Sequence, residues 1–521
     1  MPRPMLHRNV IINFNQYIIN IMNLKITKTL SASLMVLIMA SCAQDGFDDK
    51  ERFSGGVTNA QLESPQITPE SFSTLTNPDG SESVKVTWPV VMGSGGYLCN
   101  VSIVDDPSNP VKLITDSVVD GCALTFEKKE DTKYEVIVKT LGNSKYNNTE
   151  AKEPTLYAYS TLVPATIVPA GEELSNYINS YLANNQGGDS NELGFELEAG
   201  ATYTLDGTIN FDLNTVTFRG NKADRPTVVL GENGSLSTQG GLKIKFINFD
   251  CSSSNKTGLL ELSKEPSATI STEALGYKAD GANQNGFVIN DPVMFQDCNI
   301  KGLKNSLLFG NKKNWSLRDF RIMNCIVQLN NSGSNPVIHL QGASNGLIKD
   351  MTIKNSTFYN LVKNSSAYFI RYSNSSNAQP KKIFGNGDNS STHMISHCTF
   401  AKTFSNKDFA NNMPNTNTLK NTVEYCIFYD VFRLYQYLQS QSYVLTPGNT
   451  IVGIDGGNPN NNDIGGRKDK LGNPYATLED PEFEGPFLQE FDLSQPKGGV
   501  NFRPTAPVAT QNQSGDPRWY E

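Results

Sequence analysis

Histidine and tryptophan are scarce here, four and three in 521 residues, which thins the field of catalytic and metal-binding chemistry. The chain has no Cys-x-x-Cys pair and no His/Cys cluster at metal-ligand spacing, so no metal site is assigned and zinc is argued against. Positive charge is in deficit. Residues 1–41 hold four of the 44 Lys and Arg and none of the 52 Asp and Glu, leaving 40 against 52 and a formal charge of −12 beyond them. Such a balance excludes nucleic acid as a natural partner. No apolar run is long enough to cross a membrane as a helix; the longest near the start is centred on 34–39. The glycine-rich Gly385-Asn386-Gly387-Asp388 reads as a turn, because nothing around it builds a phosphate-binding loop. Asp297, Asp319, Asp350 and Asp430 are dispersed along the chain rather than clustered for calcium.

What is present begins with a leader. Lys25 and Lys28 precede Leu34-Met35-Val36-Leu37-Ile38-Met39, and Ala40-Ser41 lead into Cys42, the layout of a secretory signal. The Ala-Ser-Cys ending resembles a bacterial lipoprotein signal, which implies that Cys42 carries the lipid of the mature N-terminus. Residues 1–41 are thus expected to be signal peptide, with translation starting at Met22. Asp45, Asp48, Asp49 and Glu51 make 42–55 an acidic, flexible tether. That tether resembles the export signal of Gram-negative lipoproteins destined for the outer face of the outer membrane, so a lipid-anchored, surface-exposed location is expected.

A unit repeats in the second half. Asp297-Cys298-Asn299-Ile300, Asn324-Cys325-Ile326-Val327, Asn355-Ser356-Thr357-Phe358, His397-Cys398-Thr399-Phe400 and Tyr425-Cys426-Ile427-Phe428 share a polar residue, a small one, any residue and an apolar one. Their small residues lie 27, 31, 42 and 28 positions apart, the signature of a solenoid with insertions. Buried cysteine suits a side chain that must stack on its own copy one coil away. The five small residues are therefore expected in one interior file.

Before the repeats, 56–164 alternates short strands with Gly, Pro, Asn and Asp. Val84-Lys85-Val86-Thr87-Trp88 ends in a core tryptophan, and Tyr134 opens Lys133-Tyr134-Glu135-Val136-Ile137-Val138-Lys139 after a polar turn. This resembles a fibronectin type III module, which implies that Tyr134 is the corner tyrosine and that the module is a spacer. Cys99 and Cys122 have the option of a disulfide, and the sequence leaves it open. Apolar residues at 174, 177, 178, 181 and 182 predict a short amphipathic helix capping the solenoid. Brief strands follow around 195–200, 203–205, 216–220, 227–231 and 242–249. Together with the repeats they resemble a right-handed parallel β-helix of the pectate-lyase type, spanning 165–521 with its C-terminal tail. The fold class is all-β: a sandwich, a capping helix, then the β-helix. Asn248, Asn299, Asn324 and Asn355 are expected in ladders or turns, and Trp519 in a tail folded back over the final coil. That tail, with Asp480-Pro481-Glu482-Phe483, resembles β-helix lipoproteins of glycan-utilisation systems.

A surface β-helix implies polysaccharide as partner, with glycan-importer proteins as possible neighbours, by analogy of fold. The Gly-His-Gly and Arg-Ile-Lys elements usual in polygalacturonases are missing, and catalytic residues stay unassigned. The 42-residue interval before Cys398 is the binding candidate, being longer than a coil requires. Within it Tyr368, Ile370 and Tyr372 are expected on one side of a strand, with Phe369 and Arg371 on the other. The glycan-binding candidates are Trp315, Tyr368, Arg371, Tyr372, Lys381 and Lys382: rings to stack on sugars, Arg371 to grip a carboxylate, lysines to add charge. His339 is expected as a satisfied strand residue and His393 as a possible ligand contact. Three functions follow in order: a surface lipoprotein that binds polysaccharide; a lyase on uronate-containing glycan, with Arg371 or a nearby lysine as base and calcium as a possible cofactor; and a structural or adhesive surface protein.

Overall fold

The structure, a computed structural model, describes residues 57–185, 192–342, 344–414, 416–434, 443–453 and 468–521. Cys42, the tether and the leader lie outside the described residues. Two compact units divide the chain.

The first is an antiparallel sandwich. Strands Phe72–Thr76, Glu82–Thr87 and Ala123–Glu127 form one sheet; Val111–Val119, Tyr97–Ile103, Lys133–Thr140 and Thr155–Ser160 form the other. Strict alternation puts Val84 and Val86 against Tyr97, Cys99, Val101, Tyr134, Val136 and Val138, all buried. Trp88 is buried and meets Tyr97 edge-on at 5.4 Å. The Tyr134 hydroxyl accepts from Lys129 N at 2.7 Å, tying the strand back to the turn before it. Cys99 and Cys122 are both free thiols.

The second unit is a parallel β-helix. Among the described residues its three sheets hold ten, seven and eleven strands, and within each sheet hydrogen-bonded neighbours are mostly every third strand of the chain. At the entrance, helix Leu174–Asn184 buries Leu174, Ile178 and Leu182 in the same core as Phe195. Glu173 caps it, accepting from Ser175 N and Asn176 N, and from Asp206 N of the first coil.

The corner between the eleven- and ten-stranded sheets explains the repeat. Asp297, Asn324, Asn355, His397 and Tyr425 all have positive φ, between 50° and 54°. One left-handed residue turns the chain, and the small residue after it points inward. Cys298, Cys325, Ser356, Cys398 and Cys426 are all fully buried. The residues that follow them, Asn299, Ile326, Thr357, Thr399 and Ile427, pair in direct register from coil to coil. Each inward side chain donates to the carbonyl two residues earlier: Cys298 to Gln296 at 3.3 Å, Cys325 to Met323 at 3.2 Å, Ser356 to Lys354 at 2.8 Å, Cys398 to Ser396 at 3.3 Å and Cys426 to Glu424 at 3.2 Å. A small side chain with one donor therefore satisfies the corner and leaves room for its copies on either side.

Two further corners carry no such signature. Phe246 (φ 58°) with Ile247, and Gly448 (φ 71°) with Asn449, stand at equivalent places. Hence 242–249, expected as one strand, is two, Leu242–Lys245 and Asn248–Asp250. Asn299 donates to Asn248 Oδ1 at 2.9 Å, the one expected ladder rung, while Asn324 and Asn355 serve as corners.

Next to the file, Phe358, Phe400 and Phe428 stack face to face at 5.3 and 5.1 Å inside the helix. Such contacts add roughly 0.5–1.5 kcal/mol per pair beyond burial. The C-terminal tail does fold back, but along the flank: Trp519 Nε1 donates to Thr357 Oγ1 at 2.8 Å, Asp516 N donates to Thr399 Oγ1 at 3.2 Å, and Phe502 packs on Tyr359. It covers the outer face of the ten-stranded sheet across several coils rather than the final coil alone.

The file makes a measurable distinction. Cys398→Ser should shift stability by no more than about 1 kcal/mol, since a hydroxyl inherits the Ser396 carbonyl as Ser356 does with Lys354. Cys398→Leu should cost about 1–3 kcal/mol by overpacking against its neighbours. Urea midpoints compare the two, and equal losses would deny that the file is tightly stacked.

Candidate functional site

The seven-stranded sheet presents the candidate site. Its inward residues, Leu236, Leu260, Leu308, Ile338, Ile370 and Ala410, belong to the buried core or pack against their copies. The residues next along pair as Glu261 with Phe309, Phe309 with His339, His339 with Arg371, and Arg371 with Asn411. Phe309 is absent from the core cluster although well covered, which identifies this second file as the outward one. Neighbouring strands stand about 4.8 Å apart, so these five side chains form a regularly spaced row.

Each member has a distinct setting. Glu261 is 3.5 Å from Lys256 Nζ. Phe309 and the His339 ring lie 5.1 Å apart. His339 is 9% exposed and its Nδ1 is buried without a hydrogen-bond partner. Burial, then the positive charges of Arg371 and Lys312, push its pKa down to about 4, so the ring is neutral at neutral pH. Arg371 is half-buried, its Nε has no partner, and its guanidinium sits 5.0 Å over the Tyr368 ring. Asp408, one coil on, pairs with Arg433.

The structure sorts the expected residues. Tyr368 and Arg371 come together at the outer row. Tyr372 does not join them: it is fully buried and part of the core. The expected alternation fails because the strand here is only Ile370–Arg371. Phe369 and Ile370 both turn inward on either side of a corner, with Phe369 stacked on Phe409 at 5.0 Å. Trp315 is also fully buried, its indole donating to Ser263 O at 2.9 Å, so it offers no face to a sugar. Lys381 and Lys382 lie on helix Pro380–Phe384. Lys382 Nζ donates to Ser376 O at 2.7 Å, and its carbonyl accepts from Asn283 N and Gln284 N, so it braces two excursions of the coil.

Those excursions, roughly 263–286 and 373–390, are locked at Arg318. Its guanidinium donates to Asp388, to Tyr277 Oη at 2.9 Å and to Asn290 Oδ1 at 3.2 Å, while packing 4.8 Å over Phe384. Lys349 Nζ reaches Asp388 at 3.0 Å and Asp350 at 2.9 Å. Although burial opposes its charge, the bonds from Arg318 and Lys349 hold the Asp388 carboxyl below its ordinary range. This is structural bracing, and it accounts for much of the long interval before Cys398. His393, far from contacting a ligand, is wholly buried on strand Ser391–Ser396, its Nε2 3.1 Å from Ile348 O. His339, expected to be satisfied, is not. Sequence reasoning also passed over Glu261, Phe309 and Asn411, and counted Lys312 only among the basic residues available near Trp315. A usable signal existed: Phe309, His339, Arg371 and Asn411 fall 11, 14, 15 and 13 residues after Cys298, Cys325, Ser356 and Cys398. Among the described residues, no three His, Cys, Asp or Glu side chains gather to hold a metal.

Residues 20–200 match a protein family described as a domain of unknown function, and residues 201–361 match another, described as a domain of unknown function (DUF4957). The second match includes Glu261, Phe309, Lys312 and His339, and Arg371 lies beyond it. No curated protein matches the chain.

The two buried imidazoles give a pH signature. His393, like His339, is held down to about 4, by burial first and despite the Ile348 carbonyl. Their folded pKa values lie below the unfolded value of about 6.5, so the unfolded chain binds protons first as pH falls. Stability should therefore be full above about pH 6.5 and drop towards pH 4, each histidine contributing at most about tenfold per pH unit in the folding equilibrium. Thermal melts across that range should show His339→Gln and His393→Gln each flattening the loss; unchanged slopes would contradict the burial.

Proposed function

We propose that this protein is a lipid-anchored lipoprotein of the Gram-negative outer-membrane surface that captures a polysaccharide along the outer row of its seven-stranded sheet. The observation that carries the reading is the in-register row Glu261, Phe309, His339, Arg371 and Asn411. A row that repeats at strand spacing matches a ligand that itself repeats, and it mixes an apolar ring with donors and acceptors as sugar faces require. The Arg371 and Tyr368 pair adds a planar, charged platform.

The sandwich serves as a fibronectin type III-like spacer. Support comes from its three-plus-four strand partition and from Tyr134, whose hydroxyl returns to the backbone at 127–129 as a corner tyrosine does. Glycan importers of the same membrane are the natural recipients of captured polymer. Anchoring rests on Cys42: Cys42→Ser should move the protein from the membrane to the soluble fraction of the native host, and unchanged membrane retention would refute a lipid anchor there.

A second reading, a lyase on uronate-containing glycan, is favoured by one feature, a neutral His339 beside Arg371, which places a proton acceptor next to a cation suited to a carboxylate. One experiment addresses both. Native gels cast with a panel of plant, algal and animal glycans should retard the protein on at least one, and Tyr368→Ala should weaken that retardation about tenfold. Exposed sandwich changes such as Val118→Ser and Leu156→Ser should leave it unchanged. Ultraviolet absorbance of the same mixtures reports unsaturated products: growth abolished by His339→Gln establishes cleavage, and a flat trace across the panel leaves capture. Retardation by none of the panel would count against both readings.

A further inference from the structure

Three groups able to carry positive charge meet on the seven-stranded sheet, where two neighbouring strands end. His339 closes strand Ile338–His339 and Arg371 stands in register on the next strand. Lys312 comes from the turn after Phe309, where Asn311 and Lys312 both have positive φ, 49° and 57°. Gly342 leaves space for it: a Cβ there would lie 2.7 Å from Lys312 Cγ. Lys312 is thereby held close to the chain that follows His339.

The charges facing His339 are Arg371, from the next strand, and Lys312, from the preceding coil. The nearest carboxylate of the row, Glu261, is two strands away beyond the Phe309 ring and faces Lys256. Asp408, on the far side, is taken by Arg433. Among the described residues no carboxylate pairs with Arg371 or Lys312, whereas Arg219, Arg318, Arg321, Arg433, Arg503 and Arg518 each have one. Arg371 Nε and His339 Nδ1 are both buried and unpartnered. A desolvated donor without a partner is costly, and an anion that accepts from Arg371 Nε, and from His339 Nδ1 once the ring is protonated, removes that cost.

Building on the proposed capture of a polysaccharide, we propose that Arg371, His339 and Lys312 form a subsite for an anionic substituent of the glycan, a carboxylate or a sulfate. The Tyr368 ring holds the guanidinium from one side, leaving its edge for the anion. Burial first, and then the charges of Arg371 and Lys312, keep His339 neutral; a bound anion opposes those charges, so binding draws a proton onto the ring and affinity rises as pH falls from about 7 towards 5.

Gels containing polygalacturonate, dextran sulfate or plain dextran test this on the whole mature protein. Polygalacturonate or dextran sulfate is expected to retard it more than dextran does, the better of the two telling carboxylate from sulfate. Arg371→Gln should weaken that retention at least about tenfold, and Lys312→Gln, on an exposed turn, about threefold to tenfold. Dextran sulfate stays ionised throughout, so its retention should strengthen at least about threefold between about pH 7 and 5, and His339→Gln should abolish that trend. Dextran binding as well as the charged polymers, with Arg371→Gln and Lys312→Gln without effect, overturns the subsite and leaves glycan capture standing. Charged polymers preferred but indifferent to both variants likewise overturns it, since general surface charge would then be responsible. Retention by none of the three, with a neutral glycan retained elsewhere in the wider panel, refutes the subsite alone; retention by nothing removes the capture reading too.

Discussion

Everything in the β-helix depends on a corner one residue wide. A single left-handed residue turns the chain from one sheet to the next and a single small side chain then fills the interior, bonding the carbonyl two positions back. The left-handed conformation costs about 1–2 kcal/mol for an ordinary residue. Asn and Asp bear it best, while His397 and Tyr425 bear it with their rings stacked 5.0 Å apart outside the corner. Inside, from Cys298 to Cys426, the file holds only thiols and one hydroxyl, with the bulkier Ile247 and Asn449 at its two ends. Because the file fixes where each coil turns, it sets the register of all three sheets. The phenylalanine stack on the inside and the row from Glu261 to Asn411 on the outside are both consequences.

That constraint is why so much of the fold was legible. A corner that repeats with the same chemistry leaves the same letters, and Cys298, Cys325, Ser356, Cys398 and Cys426 lie where their spacing put them. The capping helix was legible for a similar reason, its apolar positions having to cover an open end. Phe246-Ile247 and Gly448-Asn449 escaped because they reach the same backbone geometry by other means. Ile247 fills the interior by bulk instead of by a bonded thiol, and Gly448 needs no polar side chain to turn. Alternation misled at Tyr368 to Tyr372 because a two-residue strand flanked by corners has no period to obey. Trp315 looked like a platform for sugars only because burial of an indole cannot be read from its neighbours in sequence.

The site was half legible. Arg371 and Tyr368 carry recognisable chemistry, and the two lie together, Arg371 on the outer row and the Tyr368 ring against its guanidinium. His339 did not, since its significance lies in a partner 32 residues away and in a missing hydrogen bond. The long interval before Cys398 drew attention for length, yet much of it is spent on bracing: Arg318, Asp388 and Lys349 bind the two excursions to the coil. Length marked the coil that contributes Arg371, while the bracing itself explains most of the extra residues.

The outer faces of the β-helix divide their labour. From Ile326 onward the ten-stranded sheet is sealed by the tail, with Trp519 and Asp516 meeting Thr357 and Thr399 in bonds that only an adapted pair of surfaces makes. Thr357, Thr399, Asp516 and Trp519 find partners there, although the Tyr359 hydroxyl is buried without one. On the seven-stranded sheet Arg371 and His339 keep buried nitrogens unpaired in a protein that elsewhere supplies carboxylates to arginines freely. The same file is filled one coil on by the smaller, uncharged Asn411. Local rules broken without a structural gain are where function is to be sought. The break here has a sign, positive, and a location, the middle of a row spaced like a polymer, and those two properties together argue for an anionic glycan more strongly than the fold does.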